Sequence, residues 1–234
     1  MIDVDTNGSV RTVTIDRPAA RNALTIEGLE ALEAAIDDAD EPVIYLRGRG
    51  PAFSAGADLH EVAALEGDRD RAADFARLGQ RVARTIEDSP AVVVAGINGA
   101  ARGGGLELSL ACDVRVGTPE STYGEPGVSF GLFGAWGGTV RLPRVLGEGD
   151  ALEFSLSGRS IDAEEALRIG LISRIEDDPQ SVAEEIAENP SDTVAVLKRR
   201  VRDDGERATQ ERREAQAFGD LVAAHADDID ALLE

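Results

Sequence analysis

Residues Ala91, Val92, Val93, Val94 and Ala95 make an uninterrupted apolar run rich in β-branched side chains. A run that does not alternate reads as a strand buried on both faces. Such a strand needs packed elements above and below it, so most of the chain must be organised around it. The run is far too short to cross a bilayer, and no longer one occurs.

The flanking sequence supplies the packing partners. Residues 10–15 alternate and read as a strand that Asp16, Arg17 and Pro18 end. Thr25 is a plausible N-cap for a helix carrying Leu29, Leu32, Ala35 and Ile36 at helical spacing. Residues 43–46 read as a short strand before a Gly-rich loop over 48–56, and a helix is expected to begin within 58–66. Helical spacing recurs over 71–87 through Ala72, Phe75, Leu78, Val82 and Ile86. After the central run come a loop over 96–103, a buried helix over 104–111 and a strand over 114–116. Residues 121–138 are Gly-rich with strand-like pieces. Helices are expected over 146–157 and 163–169, and a strand over 171–175. Asp177, Asp178 and Pro179 mark a boundary, beyond which the chain is helical and charged. Strand–helix alternation followed by helices implies an α/β core over 1–176 and a helical region over 177–234. A chain of 234 residues is long enough to bury a core without disulfides or metals.

Composition excludes several functions. Cys112 is the only cysteine, so no internal disulfide forms, and with only His60 and His225 a Cys/His zinc site is not expected. The N-terminus is acidic and lacks the basic-then-apolar order of a signal peptide, which suggests a cytoplasmic protein. Net charge is −21, so a phosphate backbone would be repelled and a nucleic-acid partner is not expected. The acid is dispersed, and Lys198 is the only lysine beside arginines. That pattern suits a protein of a salt-rich cytoplasm, where screening shortens self-repulsion.

Common catalytic motifs are missing. The sequence has no P-loop, no Rossmann glycine fingerprint opening a helix and no G-x-S-x-G elbow. His225 lies among alanines and acids and reads as a solvated side chain, and Cys112 reads as a small buried hydrophobe. Two loops remain. One spans 53–59 and the other 97–107, and each follows an apolar strand and leads toward a helix. Small residues let a ligand approach the backbone, and the first amides of a helix are unpaired donors. Two such loops side by side can aim two N–H groups at one oxygen. Glu107 lies one helical turn after Gly104, so its carboxylate shares that amide's face. The same spacing also suits a Gly-rich packing turn before a capped helix.

Residues 17–24, 53–59, Asn98 with Gly99, and 103–108 resemble the enoyl-CoA hydratase/isomerase (crotonase) family in order and spacing. Residues 111–113, 137–142 and 158–171 continue the resemblance, which covers roughly 5–175. It implies the ClpP/crotonase-like fold: an α/β spiral of β-β-α units in two roughly perpendicular sheets. The C-terminal helices then serve a homotrimer, or a hexamer made as a dimer of trimers. It implies an acyl-CoA thioester substrate, no metal, no other cofactor and no membrane. The amides of Ala57 and Gly104 would hold the thioester oxygen, and Glu107 would move protons. Arg21 and Ala23 match the segment that lines the CoA nucleotide. His60 falls where a basic residue can face CoA phosphates, or is a partly exposed helix residue. Ala55, Asp58, Gly103, Gly127 and Trp136 match positions along the substrate. Trp136 and the 130–133 stretch either narrow the acyl pocket or serve the core.

One departure matters. Gly127 stands where the family's hydratases carry their second catalytic glutamate. Losing one acid–base group costs about a hundredfold or more. Glu125, two residues away, would substitute only with the loop repositioned, and otherwise reads as solvated or ion-paired. Hydration is the family's default. Enoyl-CoA isomerisation or decarboxylation of a malonyl-type thioester, each needing one carboxylate, suits the residues as well. A non-catalytic acyl-CoA-binding member is the remaining alternative.

Overall fold

The computed structural model describes residues 1–231. The first unit, Met1–Ala187, holds the sheets. In chain order its elements are β1 (Ile2–Asn7), β2 (Val10–Ile15), α1 (Ile26–Asp37), β3 (Val43–Gly48), β4 (Ala52–Ser54), α2 (Leu59–Ala63) and α3 (Arg69–Asp88). Then follow β5 (Val92–Ile97), β6 (Ala100–Arg102), α4 (Gly104–Ala111), β7 (Val114–Gly117), β8 (Thr122–Gly124), α5 (Gly138–Leu146) and α6 (Glu148–Ser157). The unit closes with β9 (Ser160–Asp162), α7 (Ala163–Arg168), β10 (Arg174–Ile175) and α8 (Gln180–Ala187).

A β-β-α repeat governs the topology. The pairs β3–β4, β5–β6 and β7–β8 each place their first strand in a six-stranded sheet ordered β1-β2-β3-β5-β7-β10. Each second strand joins a four-stranded sheet ordered β4-β6-β8-β9. Pairing within the repeats is parallel, from β2 to β10 in the first sheet and from β4 to β8 in the second. Because all three repeats run the same way, the carboxyl ends of β4, β6 and β8 lie side by side. Crevices at the carboxyl ends of parallel strands are where α/β folds bind ligands.

The expectation for the central run holds. All six residues of β5 are buried, and it pairs with β3 on one side and β7 on the other. Each fully buried valine contributes about 1.5–3 kcal/mol relative to exposure. The α3 helix turns Phe75, Leu78, Val82 and Ile86 inward and packs on α1 and α4. Thr25 caps α1 by accepting from Gly28 N at 3.1 Å.

Other expectations shift. β1 precedes the first expected strand and forms a hairpin with β2, and only Arg174 and Ile175 of the 171–175 run are strand. Residues 138–146 are helical despite Pro143 and the glycines before them. The first compact unit extends past the expected boundary at 176, because α8 buries Val182 and Ala183 and packs on β3.

The second unit, Glu188–Glu234, is helical: α9 (Ser191–Val201), α10 (Arg207–Ala224) and α11 (Ala226–Ala231). Residues 232–234 of the expected helical region lie outside the described residues. His225 is not merely solvated. Its Nε2 faces Asp192 Oδ2 at 3.0 Å, an ion pair when the ring is protonated, and the two Asp192 and Asp228 carboxylates raise its pKa. Cys112 is buried, as expected. Among the described residues, no helix is long and apolar enough to cross a membrane.

Candidate active site

The loop after β4 is positioned by a residue of unusual backbone. Asn22 is fully buried with φ +58°, a left-handed conformation that asparagine tolerates better than most residues. Its side chain accepts from Arg17 N at 2.9 Å and donates to Arg49 O at 3.0 Å and Ala52 O at 2.7 Å. Its own carbonyl accepts from Ser54 Oγ at 2.8 Å. The segment then runs beside the loop: Ala55 N donates to Arg21 O, Leu24 N to Gly56 O and Asp58 N to Leu24 O. Asp58 caps α2 by accepting from His60 N at 2.8 Å and pairs with Arg17. The Arg17 guanidinium and the His60 amide hold the Asp58 carboxyl below the usual range.

The loop after β6 lies directly against this one. A Cβ placed on Gly56 would come within 2.6 Å of Arg102 O and 2.8 Å of Gly104 N. Gly104 opens α4, and neither its amide nor that of Ala57 is engaged by another backbone group. Both residues line one cavity of about 280 Å³, together with Ala55, Gly103, Glu107, Glu125 and Trp136. Its walls are mainly apolar, from Leu59, Val62 and Leu65 on one side to Phe130, Leu132 and Phe133 on the other.

Glu107 reaches this cavity from the first turn of α4 and is only 1% exposed. Its Oε1 accepts from Trp136 N at 3.0 Å and Gly138 N at 2.5 Å. Close approach requires glycine on both sides, because a Cβ on Gly134 or Gly138 would fall 2.7 Å from the Glu107 carboxyl group. Gln80 Nε2 donates to Ala135 O at 2.9 Å and ties that segment to α3. Burial pushes the Glu107 carboxyl up, while the two amides and the Arg141 charge oppose it. Arg141 itself is paired with Glu87. Trp136 lines the cavity and packs edge-on against Phe75, with ring centroids 5.8 Å apart.

Glu125 follows β8 and is 7% exposed. It is neither solvated nor ion-paired, contrary to one sequence expectation, and no repositioning is needed to bring it to the cavity. Among the described residues, neither carboxyl oxygen has a hydrogen-bond partner. Burial, and then the charge of Glu107, push its pKa up to about 8. Gly127 lines the same cavity, inside a 3₁₀ turn over Pro126–Phe130.

The sequence model described as Enoyl-CoA hydratase/isomerase matches residues 5–228. The chain belongs to that family. It is 36% identical over 191 residues to the short-chain-enoyl-CoA hydratase of Clostridium acetobutylicum, covering 79% of this chain and 72% of the relative. It is 38% identical over 169 residues to the crotonyl-CoA hydratase of Syntrophomonas wolfei, covering 69% and 63%. The solved enoyl-CoA hydratase from Thermoplasma volcanium aligns with TM-score 0.90 and 30% identity over 99% of this chain and 95% of that one. Pseudomonas aeruginosa DspI aligns with TM-score 0.90 and 34% identity over 99% and 93%. The fold is therefore crotonase-like, with β-β-α repeats and C-terminal helices, and the protein is an enzyme of the hydratase/isomerase type.

Within that family frame, the expected residues divide. Ala55, Ala57, Gly103, Gly104, Glu107, Gly127 and Trp136 converge on one cavity. Arg21 and His60 are exposed and, with Ala23, lie outside it. Asp58 is committed to Arg17 and the α2 cap instead of lining the cavity. Asn22 went unremarked in the sequence, although an asparagine between a turn and a strand is the usual signal for a left-handed position. Among the described residues, no group of three or more His, Cys, Asp or Glu is placed to hold a metal ion.

Proposed function

We propose that the enzyme adds water to a short-chain 2-enoyl-CoA thioester. The observation that carries this reading is the convergence on one small apolar cavity of Ala57 and Gly104, whose amides engage no other backbone group, and of the pinned carboxyl of Glu107. The amides receive the thioester oxygen, and the double bond lies beneath Glu107. Attack at the β-carbon moves charge onto that oxygen, where two fixed donors stabilise it. Losing one such donor typically costs about 3–4 kcal/mol. The Glu107 carboxylate takes the proton from the attacking water, and its amide partners keep it oriented. A cavity of about 280 Å³ sits at the small end of ligand sites, which favours a short acyl chain.

Arg21, Ala23 and His60 lie outside the cavity and are assigned to the CoA nucleotide, which remains near the surface. Exposed Leu197, Val201 and Phe218 on α9 and α10 favour an assembly role for the second unit, in a trimer or dimer of trimers. Sedimentation of the purified protein tests that assignment, and a monomer rejects it.

The catalytic reading is tested by mass spectrometry of crotonyl-CoA turnover in deuterated buffer at high salt. The expected product is 3-hydroxybutyryl-CoA carrying one deuteron on the α-carbon. Gly127 favours a second reading, in which a single carboxylate isomerises a 3-enoyl thioester or protonates the enolate left by decarboxylation. Turnover of 3-enoyl-CoA or methylmalonyl-CoA with no hydration would replace the first reading by the second.

A further inference from the structure

Parallel pairing in the small sheet sets Glu125 beside the thioester loop. Arg102 is in register with Gly124, and Gly103 N donates to Gly124 O at 3.0 Å. The next residue along β8 is therefore Glu125, at the same level as the Gly103–Gly104 turn. Glu125 lines both the main cavity and a smaller one of about 40 Å³ that Thr139 and Ser155 also line.

The two carboxyl groups of the cavity are held in opposite ways. Burial pushes both carboxyls up, but Glu107 Oε1 accepts two backbone amides, which oppose that rise and support its anion. Among the described residues, Glu125 receives no donor at either oxygen. Of the cations nearby, Arg102 is turned to Thr122, with Nη1 on its carbonyl at 2.7 Å, and Arg141 is paired with Glu87. The charge that bears on Glu125 is that of Glu107. A buried carboxyl with no donor, facing an anion, keeps its proton at neutral pH.

The position that the resemblance assigns to a second carboxylate is occupied by Gly127, and it is tight. A Cβ on Gly127 would meet Leu132 O at 3.1 Å and Phe133 Cα at 3.3 Å, and Leu132 N donates to Gly127 O at 2.9 Å. A side chain there would require the Leu132–Phe133 backbone to give by a few tenths of an ångström.

We propose that Glu125 is the second acid–base residue of this site, the carboxylic acid that protonates the α-carbon. The inference rests on the hydration reading above. As the water oxygen bonds to the β-carbon, its proton passes to the Glu107 carboxylate and the π pair moves into the thioester enolate. The enolate then takes the Glu125 proton at the α-carbon. The proton on Glu107 returns to Glu125, so one water is added and both groups are restored.

The test is steady-state hydration of crotonyl-CoA by the full-length parent, Glu125→Gln and Glu125→Asp, with melting temperatures measured alongside. Glu125→Gln is expected to lower kcat by about a hundredfold or more with KM within about threefold. The parent kcat should fall as pH rises through about 8, where the acid is lost, and Glu125→Gln should lose that limb. Glu125→Asp should keep the limb and part of the rate. Infrared difference spectra of the parent between about pH 6 and pH 10 should show a protonated carboxyl band that Glu125→Gln removes, a readout independent of turnover. A folded Glu125→Gln protein with parental kcat, or a band that survives the substitution, overturns the role of Glu125 and leaves the hydration reading intact. A parent that hydrates no crotonyl-CoA overturns the hydration reading itself, and this inference with it.

Discussion

Strands β2, β3 and β5 of the six-stranded sheet run six residues each, and Val13, Ile15, Ile44, Leu46, Val93 and Val94 along them are fully buried. Strands β4, β6 and β8 of the other sheet run three residues each and end at Ser54, Arg102 and Gly124. Strands β2, β3 and β5 of the long sheet are paired on both sides and mostly buried. At its carboxyl edge the short sheet leaves the amides of Ala57 and Gly104 unengaged by backbone and, among the described residues, the Glu125 carboxyl without a hydrogen-bond partner. Unpaired polar groups inside a protein are costly, and they persist where a ligand or a reaction makes use of them. Burial is concentrated in one sheet, and the candidate site lies at the edge of the other.

The strongest attempt to break that division is Glu107→Gln. The amide still accepts from Trp136 N and Gly138 N, so the fold should persist, while crotonyl-CoA turnover falls by about a hundred- to ten-thousandfold. A melting temperature that collapsed with the activity would show that the site carries the fold as well. The converse is Leu46→Ala in β3, where the side chain is fully buried. Urea unfolding should show a loss of about 2–5 kcal/mol, with kcat/KM at room temperature nearly unchanged.

Asn22→Ala sharpens the comparison because Asn22 joins the two regions. It removes three side-chain hydrogen bonds and forces alanine into a left-handed backbone. Stability should fall by about 1–3 kcal/mol. Unlike Leu46→Ala, it should also lower kcat/KM, by up to about a hundredfold if the Ala57 loop moves by an ångström. The smallest effect concerns Asp58. Arg17 and the His60 amide depress its pKa in the folded protein, so its stabilisation is complete above the ordinary aspartate value of about 4. That stabilisation is lost as pH falls through the lower folded value. The urea-midpoint gap between the parent and Asp58→Ala should therefore be open at about pH 7 and narrow toward about pH 3. A gap of constant width would assign the effect to packing.

The long sheet was legible in the sequence because burial on both faces writes itself as runs such as residues 91–95. The short sheet was not: Ala100, Ala101 and Arg102 carry no periodic signal, and their strand exists only through its partners on either side. In the site, the glycine loops and Glu107 were legible from spacing. Glu125 was not, because a single acid in a turn gives no sign of which way it points. Its orientation follows from the register of Arg102 with Gly124, a long-range fact. Asp58 occupies a motif position, and its carboxylate is taken up by a guanidinium and a helix cap, neither of which the motif alone reveals.

The cavity wall has a further consequence. Leu59, Val62, Leu65, Ala72 and Phe75 come from α2, α3 and their connection, and Phe130, Leu132 and Phe133 come from the stretch after β8. None of these side chains supplies an amide or a carboxyl group to the reaction. Acyl-chain preference can therefore drift, in nature or in directed evolution, by exchanging wall residues one at a time. A lineage built on this scaffold can diversify its diet while its chemistry stays put.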